Sequence, residues 1–245
     1  VASPRDAFVE KLLALGCQHR PQPIVSDATS VLGDLLLFLS YLRLFRSERP
    51  VAYLGYTIKP NIYGTLAARL CGVPTINNVS GLGTVFIRET WLTRLVTALY
   101  RLAFAGSHTV FFQNEDDRTL FIERRIVDRA KTCLLPGSGI DLTHYQPVPL
   151  PSGEGVQGKG LVLILIARLL WDKGVGEFVE AARIVRWHRT DVRFQLLGFL
   201  DVENRTAVDR GSVERWVTEG VVEYLGATDD VRPFIAAADC VVLPS

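Results

Sequence analysis

Residues 161–174 read Leu161-Val162-Leu163-Ile164-Leu165-Ile166-Ala167-Arg168-Leu169-Leu170-Trp171-Asp172-Lys173-Gly174. The run from Leu161 to Ala167 is apolar without alternation, the pattern of a parallel strand buried on both faces. Val175, Phe178, Val179, Ala182 and Val185 then recur at helical spacing, so an amphipathic helix follows. The turn between strand and helix holds Arg168 and Lys173. In open α/β sheets ligands bind just outside the carboxyl ends of strands. Two cations of different geometry at that place suit a phosphate or diphosphate. The same residues also suit an ordinary solvated turn.

The unit repeats outward in both directions. Helical periodicity predicts helices at about 6–15, 31–47, 61–70, 90–104, 115–125, 175–189, 212–219 and 230–237. Runs rich in β-branched and aromatic residues predict strands at about 51–55, 73–78, 108–113, 132–135, 161–167, 192–197, 221–225 and 240–243. Strands alternating with helices make the fold class α/β, with parallel sheets covered on both faces. Residues 147–160 hold three prolines, then four glycines, without periodicity, and read as an interdomain linker. It separates a domain at 1–146 from one at 161–245. Within it, Gly153, Gly155 and Gly158 match GxGxxG, and Lys159 extends the match toward a P-loop. Both motifs need a strand before the glycines and a helix after them. A Pro-rich tract precedes and a strand follows, so both readings are rejected. The chain begins at Val1, contains no Met and stops at Ser245 directly after a strand, which reads as a fragment at both ends.

Composition narrows the partners. Apolar residues make up 48% of the chain, ample for a core, and 27 basic residues balance 26 acidic ones. That balance gives no electrostatic case for nucleic acid. Cys17, Cys71, Cys133 and Cys240 are scattered, with no CxxC pair, so neither a zinc site nor a disulfide framework is expected and a reducing, cytoplasmic setting is. Val31 to Phe45 is too short for a membrane span and is broken by Asp34 and Arg43.

Further candidates follow strands. Thr57-Ile58-Lys59-Pro60-Asn61 opens a helix with Pro60 in its first turn. Lys59 and Asn61 could hold an anion or a sugar hydroxyl there, or the segment is a plain turn. Ser80-Gly81-Leu82-Gly83 leaves the next strand, and its glycines allow close backbone approach to a ligand or simply make the turn. In the helix after it, Trp91, Leu92, Leu95, Val96, Leu99 and Leu102 form one face, expected to be core, while Arg88, Arg94 and Arg101 recur opposite. Such a helix can also rest on an anionic membrane surface. Gly137-Ser138-Gly139-Ile140-Asp141 follows the last strand of the first half, and Gly198 and Gly226 mark strand exits in the second. No Ser/His/Asp triad, metal cluster or glycosidase-like carboxylate pair is legible.

In order along the chain, Thr57–Gly64, Ser80–Gly83, Phe112–Asp117, Gly137–Asp141, Arg168–Gly174 and Ala238–Ser245 resemble the signatures of retaining, nucleotide-sugar-dependent glycosyltransferases of family 4. The resemblance implies two facing Rossmann-like domains of GT-B type, the second incomplete. The first, acceptor-side domain would lack its opening strand. The Lys-Pro-Asn-Ile-Tyr-Gly and Gly-Leu-Gly pair is most similar to bacterial members that extend lipid-linked oligosaccharides. By that resemblance the donor is a UDP-sugar carrying an N-acetylhexosamine. The acceptor is a polyprenyl-diphosphate glycan at the cytoplasmic face of the inner membrane. Arg168 and Lys173 would clasp the donor diphosphate, with Gly198, Leu225, Gly226 and Thr228 beside the nucleotide. Lys59, Asn61, Ser80, Gly81, Gly83, Ser138 and Gly139 would face the sugar or acceptor. Neither a cofactor nor a metal is implied.

The chain departs from the family pattern at three places. The first strand and glycine-rich loop would precede Val1. The catalytic glutamate pair would lie beyond Ser245, so catalytic residues stay unassigned and this stretch alone is not expected to transfer sugar. Many members carry His where Ser80 stands. A sugar epimerase that binds UDP-sugar, and a catalytically silent nucleotide- or glycan-binding relative, remain as alternatives.

Overall fold

A computed structural model describes residues 1–6, 8–24, 30–82, 91–146, 160–200, 204 and 206–244. The chain divides into two compact units, Val1–Gly139 and Ile140–Ser245. The Pro/Gly stretch read as a linker lies, up to residue 159, outside the described residues. Residues 140–146 belong to the second unit, where Arg232 donates to the His144 carbonyl at 3.2 Å. The Arg232 guanidinium also holds the half-buried Asp230 carboxyl down at about 2.

In the first unit a two-residue parallel pair, β1 (Ala2–Ser3) and β2 (Arg20–Pro21), flanks α1 (Val9–Ala14). Strands this short carry no alternation that a sequence pattern could reveal. The main sheet consists of β3 (Tyr53–Tyr56), β4 (Thr75–Val79), β5 (Thr109–Phe112) and β6 (Thr132–Leu134), parallel and in that order. Parallel neighbours need crossovers. These are α3 (Thr65–Leu70), α4 (Trp91–Phe104) and α5 (Glu115–Glu123), while α2 (Val31–Glu48) precedes the sheet. The first turns of α2 and α5 are closed by their own caps: Ser30 Oγ accepts from Gly33 N at 3.1 Å and Asn114 Oδ1 from Asp117 N at 2.7 Å.

Two expectations change here. At edge strand β3 only one face is covered: Tyr53 and Gly55 are buried, while Leu54 and Tyr56 are more than half exposed. Helix α4 keeps only part of its expected face, with Val96 and Leu99 packed against the core. Its buried residues are Thr93, Thr97, Tyr100, Ala103 and Phe104, whereas Trp91, Leu95 and Leu102 are 74%, 47% and 56% exposed. The aromatic contacts decide this. Tyr100 packs on Phe104 and Phe121 at 4.9 and 5.4 Å, and Phe112 meets Phe121 at 5.2 Å. Each large ring removes more area from water than the leucine it displaces from the core.

The second unit has one sheet, ordered β10-β7-β8-β9 and parallel throughout. Its strands are β7 (Leu161–Ile166), β8 (Val192–Leu197), β9 (Glu223–Tyr224) and β10 (Cys240–Val241). Helices α6 (Val175–His188), α7 (Arg210–Thr218) and α8 (Arg232–Ala237) connect them. From β7 the chain steps outward through β8 to β9. It then returns across the sheet to lay β10 on the other side of β7. Strand order therefore reverses between β7 and β10, and the crevice at their carboxyl ends is where such sheets bind ligands. The core beneath contains Leu165, Val175, Phe178, Val179, Phe194, Leu196 and Trp216. Among the described residues no helix is long and apolar enough to cross a membrane.

Candidate functional site

The cationic turn sits at that reversal. Leu169 and Leu170 are buried and anchor it, while Arg168, Asp172 and Lys173 are exposed. Among the described residues neither Arg168 nor Lys173 has an ion-pair partner. Residues Trp171–Lys173 make one 3₁₀ turn, and Gly174 then starts α6 at φ 70°. A Cβ on Gly174 would lie 2.5 Å from the Pro244 ring, so the turn after β7 packs directly against the exit of β10. Glycine has no side chain to cap α6, whose first N–H groups and positive dipole end lie beside Lys173. A helix N-terminus and two cations without an ion-pair partner among the described residues together favour an anion.

The neighbouring strand exits are stitched to this turn. A Cβ on Gly198 would lie 1.7 Å from the Ala167 carbonyl oxygen. Gly198 N donates to Gly226 O at 2.8 Å, the Tyr224 hydroxyl to Gly198 O at 2.9 Å, and Leu225 N to Leu196 O at 2.9 Å. Arg168, Gly198, Leu225 and Gly226 thus share one edge. Thr228 lies one turn further and receives Asp230 N at 3.1 Å, which shapes the entry to α8.

In the first unit the carboxyl edge holds the segments after β3, β4, β5 and β6. Ser80, Gly81, Ser138 and Gly139 are exposed there, and Gln113 Nε2 reaches Ser138 Oγ at 3.4 Å. Gly83 lies outside the described residues. Lys59 is half-buried and pairs with Asp34 at 2.9 Å, and the Tyr63 hydroxyl donates to the other Asp34 oxygen at 2.9 Å. Burial and then that hydrogen bond push the Tyr63 phenol up. By sequence alone Asp34 is only a break in an apolar run. A lone carboxylate in an apolar helix is itself a signal, because a buried charge requires a partner.

Asn61 requires a correction. It is 1% exposed and does not face a ligand. Its amide donates to Asn78 O at 2.9 Å and its carbonyl accepts from Asn77 at 3.0 Å. Asn77 also reaches Thr65 at 2.7 Å and accepts from Ser107 at 2.8 Å. Closing this network inside the sheet draws the chain into a π-helical turn at Pro60–Gly64, which replaces the first turn of the expected helix.

These features can be set beside known proteins. The model of the glycosyl transferase 4-like domain matches residues 3–137, and that of glycosyl transferases group 1 matches residues 160–245. The chain belongs to the glycosyltransferase 4-like family. It is 32% identical over 258 residues to the N,N'-diacetylbacillosaminyl-diphospho-undecaprenol alpha-1,3-N-acetylgalactosaminyltransferase of Campylobacter jejuni, covering 100% of this chain and 66% of that protein. It is 25% identical over 240 residues to the UDP-Gal:alpha-D-GlcNAc-diphosphoundecaprenol alpha-1,3-galactosyltransferase of Escherichia coli, covering 91% and 59%. The fold matches that of Anabaena HepE, solved with UDP and glucose, at a TM-score of 0.73 and 20% identity, covering 100% and 66%. The chain therefore spans 66% or less of the length of each of these relatives. Its two α/β units are those of the GT-B fold.

Proposed function

We propose that the whole protein transfers an N-acetylhexosamine from a UDP-sugar to a polyprenyl-diphosphate-linked glycan, with retention of configuration, in the assembly of a bacterial surface polysaccharide or glycoprotein glycan. The observation that carries this reading is the pair of cations, Arg168 and Lys173, which have no ion-pair partner among the described residues and stand beside the start of α6 where strand order reverses. They would clasp the donor diphosphate and stabilise the charge that grows on it as the glycosidic bond breaks. Gly198, Leu225, Gly226 and Thr228 would flank the nucleotide. Lys59, Ser80, Gly81, Ser138 and Gly139 would serve the sugar and acceptor, with Asn61 supporting that edge from within. Both family matches are to glycosyltransferase domains, which favours transfer over epimerisation. The names of both relatives specify α-linked products on undecaprenol diphosphate. An α-linked UDP-sugar that yields an α-linked product keeps its configuration.

The test uses full-length protein, radiolabelled UDP-N-acetylgalactosamine and a polyprenyl-diphosphate disaccharide. Label is expected in the organic phase, attached through an α linkage by NMR. Epimerised UDP-sugar without transfer would establish the epimerase reading, and binding of UDP without turnover the silent one.

An anionic membrane surface at the cytoplasmic face is the second partner proposed. Its support is the outward face of α4, where Trp91, Leu95 and Leu102 stand exposed beside the exposed Arg94. Arg101 is engaged by the Arg124 and Arg125 carbonyls, and Arg88 lies outside the described residues. The protein is expected to cosediment with phosphatidylglycerol vesicles at low salt, and Trp91→Ala with Arg94→Ala to release it. Sedimentation indifferent to lipid charge would refute this.

A further inference from the structure

Between α6 and α7 of the second unit lies an open groove of about 530 Å³, whose lining includes Trp171, Glu177, Glu180, Arg183, Arg215 and Trp216. Trp216 forms the floor. Trp171 is 44% exposed and stands edge-on to it, with ring centroids 5.9 Å apart and planes at 87°. A Cβ on Gly176 would stand 3.1 Å from the Trp171 ring, so the indole rests on the first turn of α6 and offers its remaining surface to solvent.

The walls are polar and mutually ordered. Arg183 bridges Glu180 and Glu219, the latter at 2.8 Å, and Arg215 donates to Ser212 at 3.1 Å. Three glutamates against two arginines leave the groove with a net charge of −1. That balance disfavours polyanions such as a nucleoside diphosphate or an anionic lipid surface. An amphipathic helix would need an apolar floor that continues over several turns, and here Trp171, Val179 and Trp216 make one patch between charged walls. Helical period also places Trp187, 87% exposed, on the stripe of Gly176, Glu180 and Arg183. It lies about 16 Å along α6 from Gly176. One wall therefore begins and ends near a solvent-facing indole.

A flat indole rimmed by planar carboxylates and guanidinium groups is the chemistry that recognises a pyranose. The C–H face of the sugar packs on the ring, and its hydroxyls meet bidentate donors and acceptors. We propose that the α6–α7 groove binds a neutral oligosaccharide, with Trp171 as its stacking platform. Neither Arg168 nor Lys173 lines the groove, but Trp171 stands in their turn, so the variants further along α6 and on α7 separate this assignment from the donor site.

The test titrates full-length protein with the neutral tetrasaccharides of N-acetylglucosamine and of glucose, with and without saturating UDP. Tryptophan fluorescence and saturation-transfer NMR provide the readouts. At least one tetrasaccharide is expected to bind with a Kd on the order of 1 mM, unaffected by UDP. Trp171→Ala weakens it about tenfold, while Trp171→Phe keeps a platform and most of the binding. Glu180→Gln and Arg215→Ala, both beyond the turn and the first turn of α6, also weaken it while UDP affinity stays constant. Absence of saturable binding, displacement of the sugar by UDP, or equal binding by all four variants would overturn the proposal.

Discussion

Alanine at Arg168 or at Lys173 is expected to weaken UDP binding to the full-length protein by roughly 10- to 100-fold, read by calorimetry. A charge-assisted hydrogen bond contributes about 1.5–3 kcal/mol, and each side chain is set to supply at least one to a diphosphate oxygen. Both are exposed, so their removal leaves the core untouched, and the melting midpoint is expected to move by no more than about 2 °C. That separates lost binding from lost fold. Arg168→Lys should fall between wild type and alanine, because lysine keeps the charge but not the planar fork. The two sites flank one short turn, so the double variant should deviate from additivity. UDP affinity unchanged in both single variants would remove the donor-diphosphate assignment.

The parts of this site that could be read in the sequence are those whose chemistry is local. Leu161 to Lys173 carries strand, turn and cations within one window, and the turn's place at a strand exit follows from that window alone. Its packing on Pro244 could not be read, because that contact joins residues 70 positions apart, and with it the position of the turn at the strand-order reversal. The same holds for Asn61. Its partners Asn77 and Asn78 lie 16 and 17 residues away, and a buried amide network leaves no periodic trace. Without those partners a lone Asn near Lys59 reads as a ligand contact. Helix α4 is legible only in part, and for a different reason, although Val96 and Leu99 do pack on the core. Leucine count favours the Trp91–Leu102 face, but aromatic volume on the Tyr100–Phe104 face outweighs it once Phe112 and Phe121 are in place.

The second large effect is expected from Gly198→Ala, which should unfold or severely loosen the second unit and abolish UDP binding with it. The added Cβ would stand 1.7 Å from the Ala167 carbonyl oxygen, and backbone cannot swing aside as a side chain can. Relief would require separating the ends of β7 and β8. That breaks Ala167 N to Leu197 O at 3.1 Å and Leu169 N to Phe199 O at 3.2 Å, the bonds that hold both sides of Arg168. Overpacking alone costs about 1–3 kcal/mol, and two lost backbone bonds add about 1 kcal/mol each. In a unit of this size each kcal/mol lowers the midpoint by about 4–8 °C, so a drop beyond about 10 °C is expected. Gly226→Ala is the discriminating control. Gly226 also has positive φ, at 82°, but a Cβ there meets nothing within 4 Å. It should lose only the left-handed backbone preference, about 1–2 kcal/mol. Equal losses at the two glycines would mean that backbone strain, not the close approach of β7 and β8 under Arg168, governs this edge.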